Sequence, residues 1–92
     1  MKCDSLLKPP ASKAMKAGRV LLEPGEEVGE HITENKEEVI VVLRGAATII
    51  EGGKEAIVKE KETHYIREGI RYNIKNKTGS VVEYVYVAGS LG

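Results

Sequence analysis

From Lys16 onward, apolar residues recur at every second position or in short runs, and no segment keeps a 3.6-residue apolar period. The pattern predicts strands at Lys16–Glu23, Val28–Thr33, Glu38–Leu43, Ala46–Glu51, Lys54–Lys59, Thr63–Ile66, Tyr72–Lys75 and Val81–Ala88. Pro24-Gly25, Gly45, Arg67-Glu68-Gly69 and Asn76-Lys77-Thr78-Gly79 punctuate them as turns. Gly52-Gly53 is the clearest hairpin signal. Strands every eight to twelve residues with glycine-rich turns predict a sandwich or barrel. No repeat of 20–50 residues is visible.

Parity assigns the faces. With Glu83 outward, Val82, Tyr84 and Tyr86 share the inner face of the last strand. His31 and Thr33 share a face, as do Glu38, Ile40 and Val42. The Val/Ile run at Glu38–Leu43 reads as buried on both sides. With Glu38 inward, Val39, Val41 and Leu43 point to a second layer or a second subunit, because an extended apolar face is not left wet.

Ten Val and eight Ile against no Phe or Trp suit pleated sheets and give a thin core. A chain of 92 residues with such a core predicts one domain that gains from a partner copy. Thirteen Glu to one Asp, ten Lys and no Gln give the Lys/Glu-rich, amide-poor bias of heat-adapted proteins. Net charge is zero, which gives no support to general nucleic-acid binding. The zero is uneven: Met1–Arg19 carries five basic residues against Asp4, and the remainder balances it with −4. Residues 1–13 therefore read as a basic arm with one short strand near Cys3–Leu7, and 14–92 as the barrel. No apolar stretch reaches the roughly 18–20 residues that span a bilayer, and Met1–Ala17 has no apolar core of a secretory leader. A soluble, cytoplasmic chain is expected. The single Cys3 lies in the arm, away from the expected pocket, and forms neither an internal disulfide nor a Cys-rich zinc site.

Two stretches carry chemistry. The first runs from Gly25 through His31, Thr33 and Glu38 to Gly45, and the second from Arg67 through Gly69 and Tyr72 to Asn76. The spacing of the first resembles the first signature of the cupin superfamily: Gly, five residues, His-x-His, three or four residues, Glu, six residues, Gly. The second resembles that family's Pro-x-Gly, two residues, His, three residues, Asn. The resemblance implies an antiparallel jelly-roll barrel over about Lys16–Gly89. It also implies a divalent metal held by three His and one Glu, at positions that here are His31, Thr33, Glu38 and Tyr72.

Two of the four match. Imidazole and carboxylate are good ligands for transition ions, a Thr hydroxyl is a poor one, and a phenol ligates as phenolate with a reference pKa near 10. The expectation is no metal, or a weakly held divalent ion on His31 and Glu38 completed by His64 or Tyr72. Without metal, His31 and Tyr72 form a candidate acid/base pair, as in metal-free epimerases of the family. Thr33, Tyr72, Tyr84 and Tyr86 are candidate walls for a small-molecule ligand. Arg67 and Arg71 could meet an anion. Three functions follow: a small-molecule-binding cupin; an oxygenase or isomerase using His31, Glu38 and Tyr72; or a structural or regulatory oligomer with a filled barrel. The resemblance also implies a homodimer formed by packed sheets or exchanged N-terminal strands.

Overall fold

A computed structural model describes Met1–Gly92 and contains nine strands and no helix. They are β1 (Lys2–Leu7), β2 (Met15–Leu22), β3 (His31–Ile32), β4 (Lys36–Arg44), β5 (Ala46–Glu51), β6 (Lys54–Lys59), β7 (Thr63–Ile66), β8 (Arg71–Lys75) and β9 (Val82–Ser90). No helix is therefore long and apolar enough to cross a membrane. All pairings are antiparallel. One sheet has the order β1-β2-β9-β4-β7, and the other β3-β8-β5-β6. Two sheets with crossovers between them form the jelly roll that the signature resemblance implies, within the sandwich or barrel predicted from the strand spacing.

Most boundaries move by at most one residue, and the larger shifts have local reasons. The Val28–Thr33 strand shrinks to His31–Ile32 because Gly29, at φ 103°, turns the backbone out of the extended region. Only an isolated bridge from Glu27 to Lys75 precedes it. β4 starts at Lys36 and β9 runs to Ser90 because these residues pair with each other at the ladder's end. The arm's strand is β1, which pairs with β2 of its own chain, Cys3 opposite Val20.

The inward residues change character along the long strands. At one end, Leu22 faces Val82 across the ladder, and Val20, Tyr84 and Val42 form the next row. Across from them, Ala47, Ile49, Val58 and Ile74 complete the core. Burying each large aliphatic side chain contributes roughly 1.5–3 kcal/mol. At the other end the inward row is Lys16, Ala88 and Glu38, with Lys36 beyond. One end is sealed by branched aliphatics, and the other is polar and open.

Asn76, the last residue of the second signature, is buried and pins its turn. Its amide donates to the Leu22 and Ser80 carbonyls, and its oxygen accepts from the Thr78 N–H and hydroxyl. The outer face of the larger sheet follows the parity reading, but β4 is not buried on both sides within one chain. Val39 is 37% and Leu43 45% exposed, with Leu6, Met15 and Tyr65 exposed on the same sheet. Nothing in the chain's own fold covers them.

Candidate functional site

β3 exists because His31 pairs with Tyr72 of β8. That register stacks the two rings with centroids 4.2 Å apart, tilted by 58°. The Tyr72 hydroxyl crosses the gap between the sheets and donates to Glu38 Oε2 at 2.7 Å. His31 Nε2 lies 2.6 Å from the same hydroxyl, and Nδ1 lies 3.0 Å from the Gly29 carbonyl. A carbonyl only accepts, so Nδ1 carries a proton. Two proton arrangements satisfy the chain. In one, His31 is imidazolium, donating to a phenol that donates to a Glu38 carboxylate. In the other, two protons have shifted, leaving a neutral imidazole and a carboxylic acid. Both have the same net charge, so Tyr72 links an acid and a base through one hydrogen-bonded path.

This chain forms one wall of a cavity of about 250 Å³ opening between the strand pair β1–β2 and the pair β3–β8. Tyr84, Tyr86, Val20, Val28 and Ile74 give its flat and apolar surfaces, and Lys16 and Lys36 stand at its polar end. Tyr84 is only 2% exposed. Of the four tyrosine hydroxyls, those of Tyr65 and Tyr72 are hydrogen-bonded; those of Tyr84 and Tyr86 make no hydrogen bond within the chain, and the Tyr86 ring lies across Gly18.

Three expectations need correction. Thr33, taken as a ligand-wall residue, is fully buried and absent from the cavity lining. Its hydroxyl donates to the Arg67 carbonyl at 2.7 Å and accepts from the Ile70 N–H at 3.3 Å, so it latches the Arg67–Ile70 turn. His64 does not join His31 and Glu38. It faces the opposite open seam, where its Nε2 bonds to Glu51 beside Arg67, in a separate cavity of about 480 Å³. Parity could not see this because a turn separates His64 from Tyr72. Cys3, expected far from the pocket, lines it. The reason is the β1–β2 register, which sets Cys3 beside Val20 and thereby in the row of Tyr84. Only an intrachain pairing of the arm could have revealed it. Arg71 pairs with Glu30 at 3.2 Å on the surface.

The donors present do not fit the ion that this fold implies. The His31 Nε2 is committed to Tyr72, and the Thr33 hydroxyl to backbone. Burial, then the hydrogen bond to Glu38 and its charge, holds the Tyr72 phenol far above its ordinary range, away from phenolate. No three His, Cys, Asp or Glu side chains converge.

Tyr84 and Tyr86 are also pushed up, first by burial and then by the Glu38 charge, and Tyr65 by its bond to Glu37. The sign of the consequence is fixed. A raised folded pKa stabilises the fold below the unfolded value near 10, and that stability is lost as pH rises beyond it. Stability is expected to fall above about pH 10. Tyrosinate absorbance from Tyr72 and Tyr84 should appear together with loss of the circular-dichroism signal of the fold. Ordinary titration of all four tyrosines in a chain still folded would contradict this.

A jelly roll of nine antiparallel strands, with a His–Tyr–Glu chain where a metal set would stand, defines the class. Residues 18–88 match the family described as Cupin domain, and the chain belongs to that family. A Thermotoga maritima protein described as a predicted oxalate decarboxylase superposes with a TM-score of 0.89 at 27% identity, covering 97% of this chain and 79% of that one. The cupin domain of Schizosaccharomyces pombe Cnp3 superposes at 0.87 with 20% identity over 96% of this chain, which spans 63% of that longer one. An RmlC-like cupin from Methanocaldococcus jannaschii gives 0.86 at 17% identity, covering 97% and 79%. The latter two show the fold alone. No protein of curated function matches the sequence.

Proposed function

We propose that this chain is a small-molecule-binding cupin that holds its ligand in the His31–Tyr72–Glu38 cavity with no metal, or with one held only weakly. The observation that carries this is the closed hydrogen-bond chain beside an open, tyrosine-walled cavity. The fold alone does not choose an activity, and the neighbours' descriptions differ accordingly. At about 250 Å³ the cavity lies below the roughly 300–1,000 Å³ of drug-sized sites, which suits a small metabolite.

The test is a fragment screen by melting temperature. Binding compounds should raise it, and the rise should vanish when Val28→Trp fills the cavity from its partly buried wall. A screen without hits, or hits indifferent to that substitution, would refute the reading. The His–Tyr–Glu chain also favours a second reading, a metal-free acid/base isomerase with His31 and Tyr72 exchanging protons with the bound molecule. Solvent-deuterium exchange into a bound ligand, abolished by His31→Ala, would distinguish catalysis from binding.

We also propose that two copies pair through the outer face of the larger sheet, since Val39, Leu43 and Tyr65 are otherwise left to water. Sedimentation equilibrium should give about twice the 10.0 kDa chain mass, falling to one chain for Leu43→Lys. A parent that sediments as one chain would remove the proposal.

A further inference from the structure

The polar groups around the cavity are not a balanced set. Glu38 is its only carboxylate, and that is committed to Tyr72. Lys16 and Lys36 at the open end make no ion pair. The Tyr84 side chain is almost wholly buried and lines the cavity, and its hydroxyl makes no hydrogen bond within the chain. An ammonium can only donate. A phenol kept protonated by burial is available to donate as well. The adjoining groove shares Lys16 and Lys36 and adds Lys13 against a single acid, Glu34. The cavity therefore offers positive charge at its mouth, and the Tyr84 phenol with Val20, Val28 and Ile74 deeper in.

We infer that the ligand is a small organic acid, its carboxylate held by Lys16 and Lys36 at the mouth and its apolar part reaching inward toward Tyr84, Val20, Val28 and Ile74. This inference rests on the cavity-binding reading above and names the ligand class of that site. A neutral ligand would make no use of the two ammoniums, which water otherwise solvates, and a cationic one would meet them as like charges. A carboxylate fills the donors present with charge-assisted hydrogen bonds. A phosphate ester fits less well. The lining has no arginine and the chain has no helix N-terminus, the two groups that best serve a phosphate's many oxygens. The basic bias of Met1–Arg19 acquires a use here, since Lys13 and Lys16 come from that segment.

The experiment is NMR titration of the full chain, labelled at the tyrosine rings, with benzoate and malonate. Benzamide and malonamide serve as uncharged isosteres, and inorganic phosphate as a second anion. Tyr84→Phe and Tyr86→Phe assign the signals. The acids should shift Tyr84 and Tyr86 saturably, the amides should not, and added salt should weaken the effect. The double variant Lys16→Gln/Lys36→Gln should lower acid affinity by about tenfold or more while its fold signals stay in place.

Amides that bind as well as acids, with a double variant that binds like the parent, would overturn the acid class and leave cavity binding standing. Phosphate binding equal to that of benzoate would overturn the carboxylate assignment. No shift of Tyr84 with either acid would overturn the inference, and the fragment screen then tells separately whether cavity binding falls with it.

Discussion

Tyr72→Phe is expected to destabilise the chain by about 2–4 kcal/mol, because it strands two partners in one step. Glu38 is 6% exposed and loses the phenol that donates to it. His31 Nε2 loses its only side-chain partner. A buried acceptor left unmet costs about 1–3 kcal/mol, and more when it is ionised. In a domain this small the melting temperature should drop by about 10 °C or more. Denaturant midpoints measure the effect. Adding Glu38→Gln to Tyr72→Phe should recover part of the loss, since the residual penalty is an unpaired carboxylate; strictly additive losses would argue against a coupled chain.

Tyr72→His tests the same position in the opposite sense. It would set two imidazoles and Glu38 around one point, a ligand set suited to a divalent transition ion. Elemental analysis after loading and desalting should show more retained metal than in the parent. Retention no greater than the parent's would place the decisive loss at Thr33, whose hydroxyl is tied to the Arg67 turn.

The second large effect is at Gly45, between β4 and β5. Its φ is +81°, and a Cβ there would lie 2.7 Å from the Val81 carbonyl oxygen and 3.2 Å from a Val82 methyl. Gly45→Ala therefore combines left-handed strain of about 1–3 kcal/mol with a backbone clash that typically costs another 1–3. Gly25→Ala is the internal control. Its φ of +85° is similar, but nothing lies within 4 Å of the added carbon, so only the strain remains. Equal losses for the two variants would show that the clash is relieved by movement of Val81.

The strand pattern was legible because strand periodicity and glycine punctuation are local. Ala46–Glu51, Lys54–Lys59 and Thr63–Ile66 fall where the sequence puts them, and the inward set Glu38, Ile40, Val42 follows from parity. The signature spacing likewise brought His31, Glu38 and Tyr72 to one place, since each sits on a strand whose register the spacing preserves. What it could not show was the use of each side chain. Thr33 keeps the position of a ligand, yet its hydroxyl donates a hydrogen bond to a backbone carbonyl that only the Arg67–Ile70 turn supplies.

Sequence by itself thus determined a β-rich sandwich or barrel with an inward Glu, and its resemblance to the cupin signatures implied a jelly roll with a metal set short of two imidazoles. These depend on residue type and on distances along the chain. Tertiary structure alone decided that His64 belongs with Glu51 on the far seam, that Cys3 enters the cavity wall, and that Lys16 and Lys36 stand unpaired at its mouth. Those facts depend on which strands become neighbours and on how two sheets face each other. Pairing partners are separated by up to tens of residues, and no local pattern encodes which side chains will meet across the gap.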